Sequence, residues 1–339
     1  MIKAIQNNTE SSSQATEMSP RKITSWQVLL GLTFLILLLI WPQFTTNKFY
    51  FTMGTMIALS VIGASSLNLI IRTGHISLAH AAFMGVAAYT CVLSQIYFHI
   101  NFALACALGC SMSAFLALIL GPILLRLTGK YFVLVTFMVG EIIRLVFINW
   151  QSLTGGSNGI QEIPRGLDLF KNPTSFYYFS LLISFLCIVF VRRILSSDLG
   201  RAIDSLREVE SLAECSGIPV SKIKISMFVI ACFLVGFQGI LQVYLVGYID
   251  PGSFNSEASL NMVVMNVIGG MYHLSGPILG SIFITTLPEF LRGYVDFQRV
   301  IFGVVLIVVM AALPGGLMGI LFKLKVFLLK ALHLEVKNK

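Results

Sequence analysis

The sequence predicts an all-α integral membrane protein, a polytopic bundle of about 8–10 transmembrane helices, and three observations carry that reading. Of its 339 residues 56% are hydrophobic and only 11% charged, against roughly 25% charged in an ordinary soluble domain. Such a chain has too little polar surface to cover itself in water. The apolar runs are also continuous and close to the ~20 residues that a helix needs to cross the hydrocarbon layer. A membrane β-barrel would instead show short segments of alternating hydrophobicity, so the backbone here must satisfy its hydrogen bonds within helices. Finally, Lys and Arg cluster in alternate loops, as expected of a chain threaded back and forth through a bilayer.

The apolar segments run from Trp26 to Trp41, Phe51 to Ile71, Ile76 to Tyr97, Ala103 to Leu125, Tyr131 to Trp150, Phe176 to Val191 and Ile225 to Tyr248. Two shorter pieces follow, Leu260 to Met271 and Ile278 to Leu291, on either side of a Gly276-Pro277 helix break, and Val300 to Leu317 closes the series. The short pieces read either as two thin spans or as one re-entrant hairpin lining an internal cavity, where irregular backbone is tolerated at depth. Both readings leave the termini on the same side. The first segment is read as a span and not as a cleaved leader, because Trp41-Pro42 is a poor cleavage site and a good interfacial end.

Orientation follows from the basic residues. With the N-terminus inside, seventeen of the 23 Lys and Arg fall on the cytoplasmic side, five fall outside and Arg144 lies within a span. Both termini are therefore expected in the cytoplasm of a cell whose inner membrane holds the protein. The net charge of +8 reports this retention of cations and not affinity for nucleic acid. Residues 1–24, polar and poor in apolar side chains, are read as a disordered cytoplasmic tail. Residues 25–320 form the transmembrane domain, and 321–339 form a basic cytoplasmic tail. The six cysteines lie mostly inside apolar runs, without the spacing of a metal site or a disulfide framework. Cys106 and Cys110 share a helix face as small packing residues.

Two loops are longer than a connection needs. The outer one, 151–173, contains Thr154-Gly155-Gly156-Ser157-Asn158-Gly159, which reads either as a docking surface or as a compact turn. The cytoplasmic one, 192–224, opens on Ser196-Ser197-Asp198, a helix N-cap signal. Apolar residues then recur at Leu199, Ile203, Leu206, Val209 and Ala213, the spacing of one helix face. Arg201, Asp204, Arg207, Glu208 and Glu214 fill the rest, and Gly217 and Pro219 stop the helix. The result is an amphipathic helix of roughly 17 residues, about 25 Å long. It lies either on lipid headgroups or in a groove on a partner. The sequence holds no GxxxxGK[ST], so nucleotide hydrolysis by a P-loop is not a property of this chain.

Ionisable residues within spans are expensive and so face a protein interior or a cavity. Glu141 and Arg144 stand i to i+3 on one helix face, either as a structural pair or as contacts for a zwitterionic solute. His75 and His80 would stand about 140° apart on a continuous helix, a poor arrangement for shared metal binding. His80, with Ser77, either lines a pathway or bonds across helices. No catalytic residue is assigned, since Ser77 and His80 have no acidic neighbour to orient them as an intramembrane enzyme would need. Glycines 269, 270, 276 and 280 allow close helix packing.

Gly200-Arg201-Ala202-Ile203, with Arg207 and Ala213-Glu214-Cys215-Ser216-Gly217-Ile218, resembles the cytoplasmic loop of branched-chain amino-acid ABC importer permeases of the LivM type. Gly74 to Phe83 is similar to a second block of that family. Tyr131-Phe132, Glu141-Ile142-Ile143-Arg144-Leu145, Asn149-Trp150 and Leu153 to Gly159 are similar to a third, and Gly269-Gly270, Gly276-Pro277, Gly280 and Leu287-Pro288-Glu289 to a fourth. Four blocks in the same order cover most of the chain. His75, Ala79 and Asp204 stand where the family commonly has Gln, Gly and a basic residue.

The resemblance implies one of two related membrane subunits, joined by two cytoplasmic ATPases that carry the ATP and Mg, and by a periplasmic substrate-binding protein. No cofactor or metal is expected on this chain itself. It implies that Gly200, Arg201, Arg207, Glu214 and Gly217 belong to the ATPase-coupling loop. The candidates for the translocation pathway are Ser77, His80, Glu141, Arg144 and Asn149, and the candidates for the surface that meets the binding protein are Thr154, Gly155, Gly156 and Asn158. The expected solute is a hydrophobic amino acid such as leucine. Urea or an amide is the alternative within the family, and an ion-coupled secondary transporter the alternative outside it.

Overall fold

The structure, a computed structural model, describes residues 48–161, 163–164, 170, 172–208, 210–291, 298–312 and 316–319, all within the unit Lys48–Lys339. The expected first span and both tails lie outside the described residues. Helices α1 (Lys48–Arg72), α2 (His80–Phe98), α3 (Phe102–Leu124), α4 (Gly129–Asn149) and α5 (Pro173–Leu195) follow one another. The loop helices α6 (Asp198–Glu208) and α7 (Glu210–Cys215) come next, then α8 (Val220–Val246), α9 (Ser256–Gly269), α10 (Gly276–Phe290) and α11 (Gln298–Ala312). Among the described residues six helices, α1 to α5 and α8, are long and apolar enough to cross a membrane. This is a polytopic helical membrane protein.

The centre is α8, which packs against α1, α2 and α3. Lipid offers no hydrophobic drive between helices, so close contact and interhelical hydrogen bonds hold such a bundle. Both are present. A Cβ on Gly239 of α8 would sit 2.3 Å from the Met84 carbonyl of α2, and one on Gly109 of α3 would sit 2.4 Å from that of Ala87. The buried Ser113 hydroxyl lies 3.0 Å from the Phe83 carbonyl and 2.9 Å from that of Cys232, joining α2, α3 and α8. Cys91, Cys106, Cys110, Cys187 and Cys232 are buried in this packing as free thiols. Helix α5 leans on α1. Helix α4 stands apart: only 22% of its apolar window is buried, against 72% for α1 and α2, and Tyr131, Leu134, Met138, Ile142 and Leu145 face outward.

Helices α9 and α10 are half-length. At 14 and 15 residues they are about 21 and 22 Å long, short of the ~30 Å hydrocarbon layer. They pack antiparallel around the Gly270–Ser275 turn: a Cβ on Gly269 would lie 1.8 Å from the Gly276 carbonyl, and one on Gly280 only 1.7 Å from that of Met265. The pair therefore has hairpin geometry, and it lies against α1. Asn266 fastens it there, donating through Nδ2 to the carbonyls of Ala64 and Met262 and accepting through Oδ1 from Asn68.

One expected span begins later than its hydropathy indicates. Residues 76–79, read from the sequence as the first turn of a helix, are not helical. Gly74 takes φ +86°. The Leu78 N–H donates to Thr136 Oγ1 of α4, and the Ala79 N–H reaches Ser77 Oγ. These side-chain acceptors replace the helical partners, which lets an apolar segment stay unwound, and helix α2 starts at His80. The expected spacing of His75 and His80 on one helix accordingly does not arise.

Candidate functional site at the start of two half-buried helices

Two unwound segments penetrate the helical layer from opposite ends. The first, 73–79, leaves the Arg72 end of α1. At its far end Ala79 lies against Gly140 of α4, where an added Cβ would come 3.4 Å from the Ala79 Cα. The second leaves α8 at Gly247, φ +89°. It pairs Ile249 with Ile160 in an antiparallel bridge, caps a single 3-10 turn Pro251–Phe254 with Asp250, and buries Phe254 against Tyr89. Irregular backbone is tolerated at such depth only where protein surrounds it or a cavity needs it.

The two segments end where α2 and α9 begin, and these helix starts meet. Ser259 Oγ accepts from the Ala81 N–H at 2.8 Å, and both residues are buried. Asn255 Oδ1 accepts from the Ala258 N–H at 2.9 Å. Each helix start carries unsatisfied N–H groups and the positive end of its macrodipole, so two such ends converge inside the bundle. Beside them is Glu141, 12 residues along α4 and so about 18 Å from its start. Glu141 accepts from Arg144 Nε at 2.8 Å and from the Ser256 hydroxyl. The expected i to i+3 pair is thus present, and Ser256 ties it to the first turn of α9. A prediction follows for Ser259: replacement by alanine strands the buried Ala81 N–H, expected to cost about 1–3 kcal/mol. That cost reads as a lower midpoint in thermal unfolding in detergent, with Ser259→Thr close to wild type.

The other expected pathway residues divide. His80 is fully buried, its Nε2 3.2 Å from Ser66 Oγ on α1, so it bonds across helices at the root of α2. Ser77 is fully buried too, with its hydroxyl serving the Ala79 N–H. Asn149 is exposed at the end of α4 and donates to the Leu145 carbonyl. Outside the spans, burial first and then the charge of Lys224 hold His75 below the ordinary histidine range. Among the described residues no group of three His, Cys, Asp or Glu side chains is placed to hold a metal.

Residues 154–159 form a built turn. Thr154 is buried, its hydroxyl 2.6 Å from the Phe147 carbonyl, while Gly155 and Gly156 take φ +75° and +63° and Asn158 is exposed. The loop 192–224 is helical over Asp198–Glu208 and Glu210–Cys215, on either side of residue 209, as its periodicity predicts. Ile203, Leu206 and Ala213 are buried. Leu199, expected on the same face, is instead exposed together with Leu212, whereas its neighbour Gly200 is buried. Gly200 lies so close to Leu195 that a Cβ would come 2.1 Å from its carbonyl. Arg201 pairs with Asp198 on the open surface, Glu214 is exposed, and Gly217 closes α7 at φ +78°. The side chain of Arg207 lies outside the described residues.

Residues 49–312 match the family described as branched-chain amino acid transport system / permease component. The chain belongs to this family. The chain is also similar to the high-affinity branched-chain amino acid transport system permease protein LivM of Salmonella typhimurium, 28% identical over 319 residues, covering 86% of this chain and 75% of that protein. LivM of Escherichia coli K12 matches to the same extent. No solved structure matches the chain. Within this permease, sequence reading missed Ser256 and Ser259, which set the start of α9, and Asn68 and Asn266, which dock it. Their partners lie 115 to 203 residues away, so no local motif marks them.

Proposed function

We propose that this permease is the membrane subunit of an ATP-binding-cassette importer that carries branched-chain, hydrophobic amino acids across the bacterial inner membrane. The observation that carries the solute class is the meeting of two helix starts beside the Glu141–Arg144 pair. Half-helix N-termini inside a bilayer suit an anionic group of a substrate, and a neighbouring carboxylate suits an ammonium. An amino acid carries both groups on an otherwise apolar body, and the two LivM relatives, permease proteins of branched-chain amino acid transport systems, agree with it. Ser77 and His80 hold the frame of this path, Glu141 and Arg144 supply its charges, and Asn149 stands at its outer end.

The partners follow from what is left open. The outward apolar face of α4 suits a related second permease subunit. The loop that contains Arg207, with Arg201, Glu214, Leu199 and Leu212 exposed on its surface, suits two ATPases on the cytoplasmic side, which supply the ATP and Mg. The turn at Thr154, Gly155, Gly156 and Asn158 suits a periplasmic binding protein. The basic residues favour both termini in the cytoplasm. The test is uptake of labelled leucine and of labelled urea by cells carrying or lacking the gene. Gene-dependent leucine uptake that survives a gradient uncoupler and stops on ATP depletion is expected. Urea uptake in its place reassigns the solute, and collapse under the uncoupler overturns the importer reading in favour of an ion-coupled transporter.

A further inference from the structure

Arg72, the last residue of α1, is 8% exposed, and its guanidinium points three ways. Nε donates to Asn68 Oδ1 at 2.9 Å, one turn back on α1. Nη2 donates at 2.6 Å to the Tyr272 carbonyl, in the turn of the α9–α10 hairpin. Nη1 lies 3.9 Å from Asp204 Oδ1, on loop helix α6. The chain of bonds continues inward. Asn68 Nδ2 donates to the Met271 carbonyl at 2.7 Å and to Asn266 Oδ1 at 2.9 Å, and Asn266 binds the Ala64 carbonyl. One buried cation thus touches the cytoplasmic loop on one side and the turn of the hairpin on the other.

We propose that Arg72 is the joint through which movement of the cytoplasmic loop reaches the α9–α10 hairpin, and through it the start of α9 at the candidate site. Two features support this role. The hairpin itself is stiff, because the closely packed backbones at Gly269 and Gly280 leave no room for sliding. A pull at Tyr272 is therefore delivered along α9 to Ser256 and Glu141. A second anchor holds the loop elsewhere: Lys224, buried at the start of α8, pairs with Glu210 of α7 at 2.6 Å. The loop is fixed at α8 by one ion pair and tied to the hairpin by the other, so a tilt of the loop about Lys224 moves Asp204 against Arg72. Coupling between distant sites travels through contiguous packed and hydrogen-bonded groups of this kind. A planar guanidinium serves three directions at once, which a lysine ammonium on a flexible stem does not. Arg72 is a positioning residue and touches no solute.

This inference rests on the loop being the ATPase-docking element, and the experiment separates the two. Asp204→Asn, Arg72→Lys, the double variant and Arg207→Glu are each placed in the chromosomal gene, with a tag on this chain. Three quantities are read: the ATPase subunit that copurifies with the chain, ATP hydrolysis by the purified complex, and labelled-leucine uptake by cells. Asp204 is half-exposed, so its variant is expected to insert and to copurify the ATPase as wild type does. Hydrolysis is expected to persist while uptake falls about tenfold, within the usual range of coupling between sites. Arg72→Lys gives the same split, and the double variant is no worse than either single change, because one link is broken in all three. Wild-type uptake in Asp204→Asn overturns the proposal, and so do losses that multiply in the double variant. If Arg207→Glu lowers copurification or uptake while Asp204→Asn lowers neither, the joint alone is refuted. If neither variant has any effect, the docking role of the loop falls with it.

Discussion

Leucine in place of Gly280 is expected to abolish uptake and to leave little folded protein in the membrane. A Cβ at this position would lie 1.7 Å from the Met265 carbonyl oxygen, 2.6 Å from its carbon and 3.0 Å from its Cα. All three are backbone atoms of α9, so no rotamer change relieves the clash. Overpacking against side chains typically costs about 1–3 kcal/mol, and a clash with backbone exceeds that because the two helices must separate. Separation breaks what the hairpin is for. The Asn266 bonds to Ala64 and Asn68 hold α9 against α1, and their loss strands buried polar groups in a medium without water to replace them. Gly303 of α11 is the control, since nothing lies within 4 Å of a Cβ there. Gly303→Leu is expected to match wild type in the same uptake and fluorescence size-exclusion measurements. Equal behaviour of the two leucine variants would show that hairpin closure does not govern assembly.

The hairpin also marks how far the sequence was legible. The break at its turn was readable from Gly276-Pro277 and the shortness of the flanking apolar runs, because a proline early in a helix and a glycine turn are local signals, but the choice between two thin spans and a hairpin was not. The long spans were readable for a similar reason: the six long apolar helices fall on six of the expected segments, although their ends do not all coincide. The start of α2 was not. Ile76, Leu78 and Ala79 are apolar and continuous with the helix that follows, and only an acceptor 58 residues away, Thr136, lets them stay unwound. The candidate site divides along the same line. Glu141 and Arg144 announce themselves as charges one turn apart in an apolar run. Ser256 and Ser259 are ordinary serines after a turn until the fold brings α4 and α2 to them. Arg72 likewise reads as a basic residue ending a span, and its role at the hairpin depends on the Tyr272 carbonyl, 200 residues away.

Glu141 offers the sharpest separation between a self-contained ion pair and a working site. If Glu141 and Arg144 only neutralise each other, exchanging them restores what either single change removes, since the i to i+3 spacing serves both orders. The bond from the Ser256 hydroxyl to Glu141 makes the two orders unequal. An arginine at 141 has no acceptor for that hydroxyl, so the first turn of α9 loses its tie to α4 even when the charges balance. Glu141→Ala is accordingly expected to lower leucine uptake at least tenfold, about 1.4 kcal/mol or more, because it strands the Arg144 cation within the bundle and frees Ser256 together. Glu141→Gln keeps an acceptor for Ser256 and is expected to retain more uptake than the alanine variant. The exchange Glu141→Arg with Arg144→Glu is expected to insert at wild-type levels and to remain as defective as Glu141→Ala. Full recovery in the exchanged protein would reduce the pair to a structural clasp. Wild-type uptake in Glu141→Ala would remove Glu141 from the path altogether. A defect that persists through the exchange and is relieved by glutamine identifies the hold on α9, and not the charge alone, as what the carboxylate contributes to transport.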